Sequence, residues 1–141
     1  MKNFAQNVTR RVVLALLLLI ALPAVGQGPL LQRRTASITS GQSLSASVDI
    51  KDQPIVAIQM PSTWTTANLT FQGSSDGTNF FNVYNMEGDE FTVTVAASRY
   101  VVLSPFEFQW ARYIKIRSGT SGAPVNQAGD RTLVIVTRRI L

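Results

Sequence analysis

The side chains with the greatest chemical potential are the carboxylates of one acidic stretch, Glu87-Gly88-Asp89-Glu90, with Asp76 further back. Two carboxylates about 5–10 Å apart across a cleft can hydrolyse a glycoside, and carboxylate oxygens are also the ligands that Ca²⁺ prefers. The stretch contains a turn-forming glycine, however, and no spacing like that of an EF-hand loop. The pattern therefore favours a solvated turn over a catalytic pair or a calcium site.

Nucleophilic catalysis has even less support. A hydroxyl nucleophile needs an adjacent base, and the chain contains no histidine and no cysteine. Lys51 and Lys115 are the only lysines after residue 34, and Lys115 lies in an alternating segment that is typical of a solvated strand face. Because disulfides and thiolate metal sites are also excluded, we predict a protein that is not an enzyme and that needs no metal or cofactor.

Two tryptophans are candidates for binding. Trp64 follows a Pro-Ser-Thr loop and Trp110 precedes the segment ARYIKIR. An exposed indole can stack on the apolar face of a sugar, so both are candidate glycan contacts. Large aromatic side chains more often fill the cores of small domains, and the favoured prediction is that each tryptophan closes one end of the fold.

The basic side chains near the end of the chain are a second group of candidate contacts. Arg112, Lys115 and Arg117 could bind phosphate or an acidic polymer, but a solvated strand face or an ion pair between subunits is the favoured interpretation. Arg138 and Arg139 precede two apolar residues. This basic and then apolar end could dock a neighbouring protein, or it could be the frayed end of the last strand.

The distribution of charge argues against specific nucleic-acid binding. The net charge is +5, and residues 1–34 account for all of it, with five basic side chains and no acid. Residues 35–141 carry eight basic and eight acidic side chains. The body of the chain therefore has no net charge with which to attract phosphates.

The elements that would position these residues are short strands. From Thr35 onward, apolar and polar residues alternate in short runs separated by turn residues. A helical turn is predicted only at residues 104–109, where serine precedes proline. We predict an all-β fold, a single jelly-roll-like β-sandwich of about eight strands. These strands are residues 44–50, 55–60, 68–72, 80–84, 91–95, 99–103, 112–117 and 132–138.

A basic and hydrophobic segment precedes the sandwich. Residues 12–22 (VVLALLLLIAL) follow a pair of arginines and end at a proline, and small residues follow. This is the pattern of a cleaved signal peptide, although an uncleaved helix buried against partner subunits and a mis-called start codon are alternatives. Eleven helical residues span roughly 17 Å, too little for a stable transmembrane anchor. We expect residues 1–26 to form this segment, residues 27–34 a linker, and residues 35–141 the sandwich.

Two segments resemble the discoidin-like, galactose-binding type of jelly roll. Residues 64–84 (WTTANLTFQGSSDGTNFFNVY) resemble its hairpin, in which a strand, an S-x-DG turn and an aromatic return strand follow one another. Residues 111–117 (ARYIKIR) resemble a later strand of that fold. The resemblance implies the fold and is compatible with a glycan as ligand.

A longer resemblance is to small structural proteins of tailed bacteriophages, and it covers nearly all of residues 36–137. It includes the segments ITSGQSLSASV, IQMPSTW, DGTNFFNVY, AASRYVVL, RYIKIRSGTS and PVNQAGDRTL. It implies a virion protein of the head, neck or tail, such as a decoration or assembly component, whose partners are copies of itself or other virion proteins. The alternative, which the signal-like N-terminus favours, is a secreted or periplasmic carbohydrate-binding module with a cleaved signal peptide.

Overall fold

The computed structural model describes residues 30–139, which form two packed antiparallel β-sheets and confirm the predicted all-β sandwich. The four-stranded sheet has the spatial order β1 (Leu31–Ile38), β9 (Arg131–Arg138), β3 (Ile55–Gln59) and β7 (Tyr100–Val102). The five-stranded sheet has the order β2 (Val48–Asp49), β8 (Tyr113–Ser118), β4 (Leu69–Ser74) and β5 (Phe81–Asn82), and β6 (Thr92–Val93) also pairs with β4.

The core lies between the sheets and is built from every second residue of the central strands. Ile114 and Ile116 of β8 are fully buried, as are Leu133 and Ile135 of β9. A fully buried aliphatic side chain of this size contributes about 1.5–3 kcal/mol of transfer free energy. The alternation in the sequence is therefore the feature that fixes which face of each strand points inward.

A cluster of three phenylalanines packs one part of the core. The ring centroids of Phe71, Phe91 and Phe108 lie 5.1–5.8 Å apart, with the Phe108 ring edge-on to the other two. Phe108 ends a 3-10 helix, Pro105–Phe108, which confirms the helical turn predicted from the Ser-Pro pair. The cluster attaches this short helix to the five-stranded sheet.

The structure corrects the linker predicted at residues 27–34. Strand β1 begins at Leu31, and its eight residues pair with all eight residues of β9. The alternation of apolar and polar residues that predicts a strand is absent from the first four residues of β1, because the half-buried residues there, Gln32 and Arg34, are polar. The structure therefore has one strand more than the sequence predicted, and the additional strand is β1.

Other differences from the sequence prediction concern length. The predicted strand at 44–50 is regular only at Val48–Asp49, with an isolated bridge between Leu44 and Arg117. The predicted N-terminal segment, residues 1–26, lies outside the described residues. Within residues 30–139, no helix is long and apolar enough to cross a membrane.

Candidate functional site

One carboxylate of the acidic stretch considered for catalysis, Glu90, forms an ion pair with Arg117 of β8. The Glu90 carboxylate accepts a hydrogen bond from Arg117 Nη1 at 3.1 Å, and the two side chains are only 13% and 10% exposed. Its oxygens also accept the backbone N–H of Ser121. This corrects the prediction for Arg117, which is neither a solvated side chain nor free to pair with another subunit.

A groove of about 620 Å³ lies beside strands β4 and β5. Trp110, Phe81 and Tyr84 line it, and all three are exposed, with half of the Trp110 side chain and 72% of Phe81 accessible to solvent. Small-molecule sites typically have volumes of about 300–1,000 Å³ and aromatic linings. We call this surface the aromatic groove.

Trp110 is held in place by two features of the fold. Its indole covers Gly73 of β4 so closely that a Cβ at that position would overlap ring atoms Cζ3 and Cη2. Its Nε1–H donates to the carbonyl oxygen of Glu107 at 2.6 Å, in the 3-10 helix. The Cζ3–Cη2 edge of the indole therefore lies against Gly73 while half of the residue remains exposed, so Trp110 is not one of the buried core residues, and its closing an end of the sandwich stays a prediction.

The polar side of the groove is the turn that joins β4 to β5. Asp76 Oδ1 accepts the backbone N–H groups of Asn79 and Thr78 at 2.8 Å each, and Ser74 Oγ donates to the same oxygen. The hydrogen bonds from Asn79 and then from Thr78 hold the pKa of the Asp76 carboxyl well below its ordinary value. Asp76 is therefore a fixed anion at neutral pH rather than a candidate general acid.

Asn82 connects the groove to the buried ion pair. Its side-chain oxygen accepts hydrogen bonds from Gln72 Nε2 at 3.1 Å and from Arg117 Nη2 at 2.9 Å. The oxygen is held by two donors, and the amide nitrogen donates to no acceptor among residues 30–139. The Asn79 amide is oriented in the opposite sense, because its nitrogen donates to Asp76 Oδ2 and leaves its oxygen as the acceptor.

The other candidate residues from the sequence do not converge on the groove. Trp64 is half-buried against the core and donates to the Ala67 carbonyl oxygen at 3.0 Å. Arg112 lies 3.8 Å from Asp49. Lys115 Nζ lies 4.1 Å from the centroid of the Phe80 ring.

Arg138 and Arg139 lie at the end of β9, an interior strand of the four-stranded sheet. Both are exposed, and their backbone N–H groups donate to the carbonyl oxygens of Pro54 and Leu30. Backbone hydrogen bonding therefore continues to Arg139, one residue past the end of β9. The apolar pair that follows, residues 140–141, lies outside the described part of the chain.

A second exposed surface lies at the edge of the four-stranded sheet. Tyr100 and Val102 of β7 point outward, and Phe106 in the 3-10 helix is 76% exposed. In the described part of the chain, β7 pairs with β3 alone, so its other edge has unpaired backbone groups. We call Tyr100, Val102 and Phe106 the β7 edge surface.

Sequence analysis missed four aromatic members of these surfaces: Phe81, Tyr84, Tyr100 and Phe106. The doublet Phe80-Phe81 was the available signal, because two adjacent aromatic residues in a strand must point to opposite faces. Which of the two remains exposed depends on how far the opposite sheet extends, and no local pattern encodes that distance.

No protein-family model, curated protein or solved structure significantly matches this chain. Among residues 30–139 no group of three or more acidic, histidine or cysteine side chains could hold a metal ion. The two surfaces combine exposed aromatic rings with fixed hydrogen-bonding groups. Such an arrangement can bind a partner or a ligand, and the chain is best described as an all-β sandwich with an aromatic groove and an apolar strand edge.

Proposed function

We propose that this chain is a non-enzymatic structural protein of a tailed-phage virion, a decoration or assembly component that acts through protein–protein contacts. The observation that carries the proposal is the β7 edge surface. Exposed aromatic and aliphatic side chains beside an open strand edge are characteristic of surfaces that pack against another protein. The virion setting rests on the bacteriophage-like segments in residues 36–137.

The geometry of the β7 edge surface suits another strand edge as its partner. The backbone that carries Phe106 is anchored, because Phe108 two residues later is buried in the phenylalanine cluster. Little backbone entropy is therefore lost when Phe106 is covered. We expect the partner to be a second copy of this chain or another virion protein.

The acidic groups give no competing catalytic explanation. The Glu90 carboxylate pairs with Arg117 and accepts the backbone N–H of Ser121, and the Asp76 carboxylate accepts hydrogen bonds from its own turn. Neither carboxylate is free to shuttle a proton, and histidine is absent from the sequence. Because these two carboxylates stabilise the fold itself, the protein is better suited to binding other proteins than to catalysis.

Two experiments test the proposal. Mass spectrometry of purified particles from the phage that encodes the chain should detect it in a virion band, and its absence from every band would refute the virion role. In solution, native mass spectrometry of the full chain should detect an oligomer, or a complex with a virion protein, that Phe106→Ala weakens.

Phe81→Ala is the matched control, because Phe81 is about as exposed as Phe106 but lies in the aromatic groove. It should leave the assembly intact. Equal losses in the two variants would show that the β7 edge surface is not the contact.

A further inference from the structure

We propose that copies of this chain join through the two open edges of the four-stranded sheet, with β1 of one copy pairing beside β7 of the next. The inference rests on the proposed role of the β7 edge surface in assembly. It adds the identity of the partner, which is a second copy, and the strand of that copy that completes the contact. The sheet then continues from one copy to the next.

The first argument is that β1 has an open backbone edge. The Arg139 N–H donates to the Leu30 carbonyl oxygen, and bonded pairs alternate along antiparallel strands, so the even-numbered residues of β1 bond to β9. Odd-numbered residues direct their N–H and C=O groups to the other side, where the Ser37 carbonyl oxygen accepts the Ala46 N–H. The odd-numbered residues whose backbone groups have no partner among residues 30–139 are Leu31, Arg33 and Thr35.

The same reasoning identifies the open edge of β7. The Met60 N–H donates to the Arg99 carbonyl oxygen beside the β3–β7 pair, so the odd-numbered residues of β7 bond to β3. The even-numbered residues face away and have no backbone partner in the described part of the chain. Both edges of the sheet therefore offer unpaired donors and acceptors to another strand. We call the residues that carry these groups the open-edge residues: Leu31, Arg33, Thr35, Tyr100 and Val102.

The second argument is strand direction. Every neighbouring pair in the four-stranded sheet is antiparallel, so the two edge strands, β1 and β7, run in opposite directions. A second copy placed beside the first in the same orientation therefore presents its β7 antiparallel to β1. The open-edge residues of both strands are exposed on the outer face, and on β1 they alternate with the buried Ala36 and Ile38. Pairing of the two edges therefore keeps the outer faces of both copies on the same side.

The third argument is that exposed apolar side chains meet in this arrangement. Leu30 and Leu31 lie at the start of β1 and are 44% and 54% exposed. Val102 ends β7, and Phe106 follows it in the 3-10 helix. Antiparallel pairing places the start of β1 beside the end of β7, so the two leucines of one copy lie next to Val102 and Phe106 of the other. The contact therefore removes apolar surface of both copies from water.

Pairing of two β1 strands with each other is a poorer match. Strand β1 contains Arg33 and Arg34 and no acidic residue, so such a pair brings the arginines of both copies together. Like charges on neighbouring strands destabilise a sheet. The three residues of β7 carry no charge, and β1–β7 pairing avoids this repulsion.

Charge also selects the register of the β1–β7 pair. Two antiparallel registers place both open-edge residues of β7 opposite open-edge residues of β1. One of them puts Arg34 opposite Arg99 of the neighbouring copy, which is a pair of like charges. The other avoids this pair and puts Thr35 opposite Tyr100 of the neighbouring copy. We expect the second register.

Single engineered cysteines can map this contact, because the chain contains no cysteine of its own. Thr35→Cys and Tyr100→Cys are prepared separately in the full chain, mixed and oxidised. We expect disulfide-linked dimers in the mixture and none in either variant alone, because the contact joins two different edges. Thr132→Cys mixed with Tyr100→Cys is the matched control. Thr132 is also exposed, but it lies on the interior strand β9, and this mixture should not cross-link.

Native mass spectrometry of the full chain is a second readout. A contact between two different edges does not close at two copies, so it produces rings or chains of larger size. We expect such species, and we expect Leu31→Asp to weaken association by about tenfold or more, because a charge replaces an apolar side chain at the contact. Met86→Asp, an apolar-to-acidic change at a fully exposed residue of another part of the fold, should leave association unchanged.

Three results would overturn the inference: cross-linking of Thr35→Cys or of Tyr100→Cys alone, no cross-linking in their mixture, and association that stops at dimers. These results are distinct from a failure of the proposed function. If Phe106→Ala weakens a complex with another virion protein while the mixed cysteine variants do not cross-link, the proposed function stands and this inference fails. Absence of the chain from every virion band refutes the virion role and leaves the cross-linking result unchanged.

Discussion

At the scale of single residues, Arg117 shows how a side chain that the sequence predicts to be solvated is buried in the fold. It follows the alternation of Lys115 in β8, yet its side chain is largely removed from water. Glu90 and Asn82 both accept its hydrogen bonds, and Glu90 also holds the backbone of Ser121. One guanidinium therefore connects the turn before β6 to β5 and to the loop after β8.

Removal of one partner from this pair should be costly, because the other charge would be left buried. We expect Glu90→Ala to lower the free energy of unfolding by about 3 kcal/mol. We expect the double variant Arg117→Met/Glu90→Gln to lose less stability than the sum of the losses in Arg117→Met and in Glu90→Gln. Urea unfolding provides the measurement. The exposed pair Arg112–Asp49 is the control, since Arg112→Met should cost only about 0.5 kcal/mol or less. Strict additivity in the double variant would contradict the coupling.

Ionised Asp76 makes a contribution to stability that depends on pH. Its folded-state pKa is depressed by hydrogen bonds, so ionised Asp76 stabilises the fold above its unfolded value of about 3.9. That contribution persists as the pH falls to this value and is lost as the pH falls further, through the folded pKa. We expect Asp76→Ala to lower the melting temperature at pH 7 and the difference to shrink below about pH 4.

Thermal unfolding of both proteins between about pH 2 and pH 7 measures this difference. Asp89→Ala is the control, because the Asp89 carboxylate accepts no hydrogen bond from residues 30–139. A gap between the Asp76→Ala and wild-type melting temperatures that stays constant down to the lowest pH would contradict the mechanism.

At the scale of elements, the aromatic groove depends on the close approach of the 3-10 helix to β4. Glu107 accepts the indole N–H, Phe108 anchors the helix in the core, and Gly73 leaves room for the ring. The glycine lies within a strand, where it weakens the strand itself. Its role in this position is to admit Trp110.

Gly73→Ala should therefore displace Trp110. We expect a loss of about 1–3 kcal/mol from the overlap and a red shift of tryptophan emission as the indole moves into water. Gly122→Ala is the matched control, because a Cβ there meets no atom within 4 Å. A Gly73→Ala protein with unchanged emission and stability would show that the ring is not held against the strand.

The parts of the fold that were predictable are those that depend on local alternation. Strand β3 was predicted to within one residue at its end, and the Ser74–Gly77 turn lies between β4 and β5 as expected. Strand β1 was missed because its inward Gln32 and Arg34 mimic a linker. Trp110 was named as a candidate, but its partners Phe81 and Tyr84 were not. Their exposure depends on where the opposite sheet ends.

At the scale of the whole molecule, the loops at one end of the sandwich are joined through Gln127. This side chain is fully buried, although it lies in the Gly- and Pro-containing segment that follows β8. Its amide pairs with both backbone groups of Thr65 and donates to Ser118 Oγ at 2.7 Å. Its backbone also bonds to Gly41 and Gln42. Three loops from distant parts of the sequence therefore share one residue.

The replacement Gln127→Glu keeps the shape of this side chain but removes its donor, so the carboxylate would face the carbonyl oxygen of Thr65. We expect a loss of about 2–4 kcal/mol at pH 7, measured by urea unfolding. Burial raises the pKa of such a carboxyl, and the protonated acid regains an O–H donor. The loss should therefore shrink as the pH falls toward 5. Asn126→Asp, the same chemical change at the exposed neighbouring position, should alter stability by about 0.5 kcal/mol or less. Equal effects at residues 126 and 127 would mean that the three loops hold together without the buried amide.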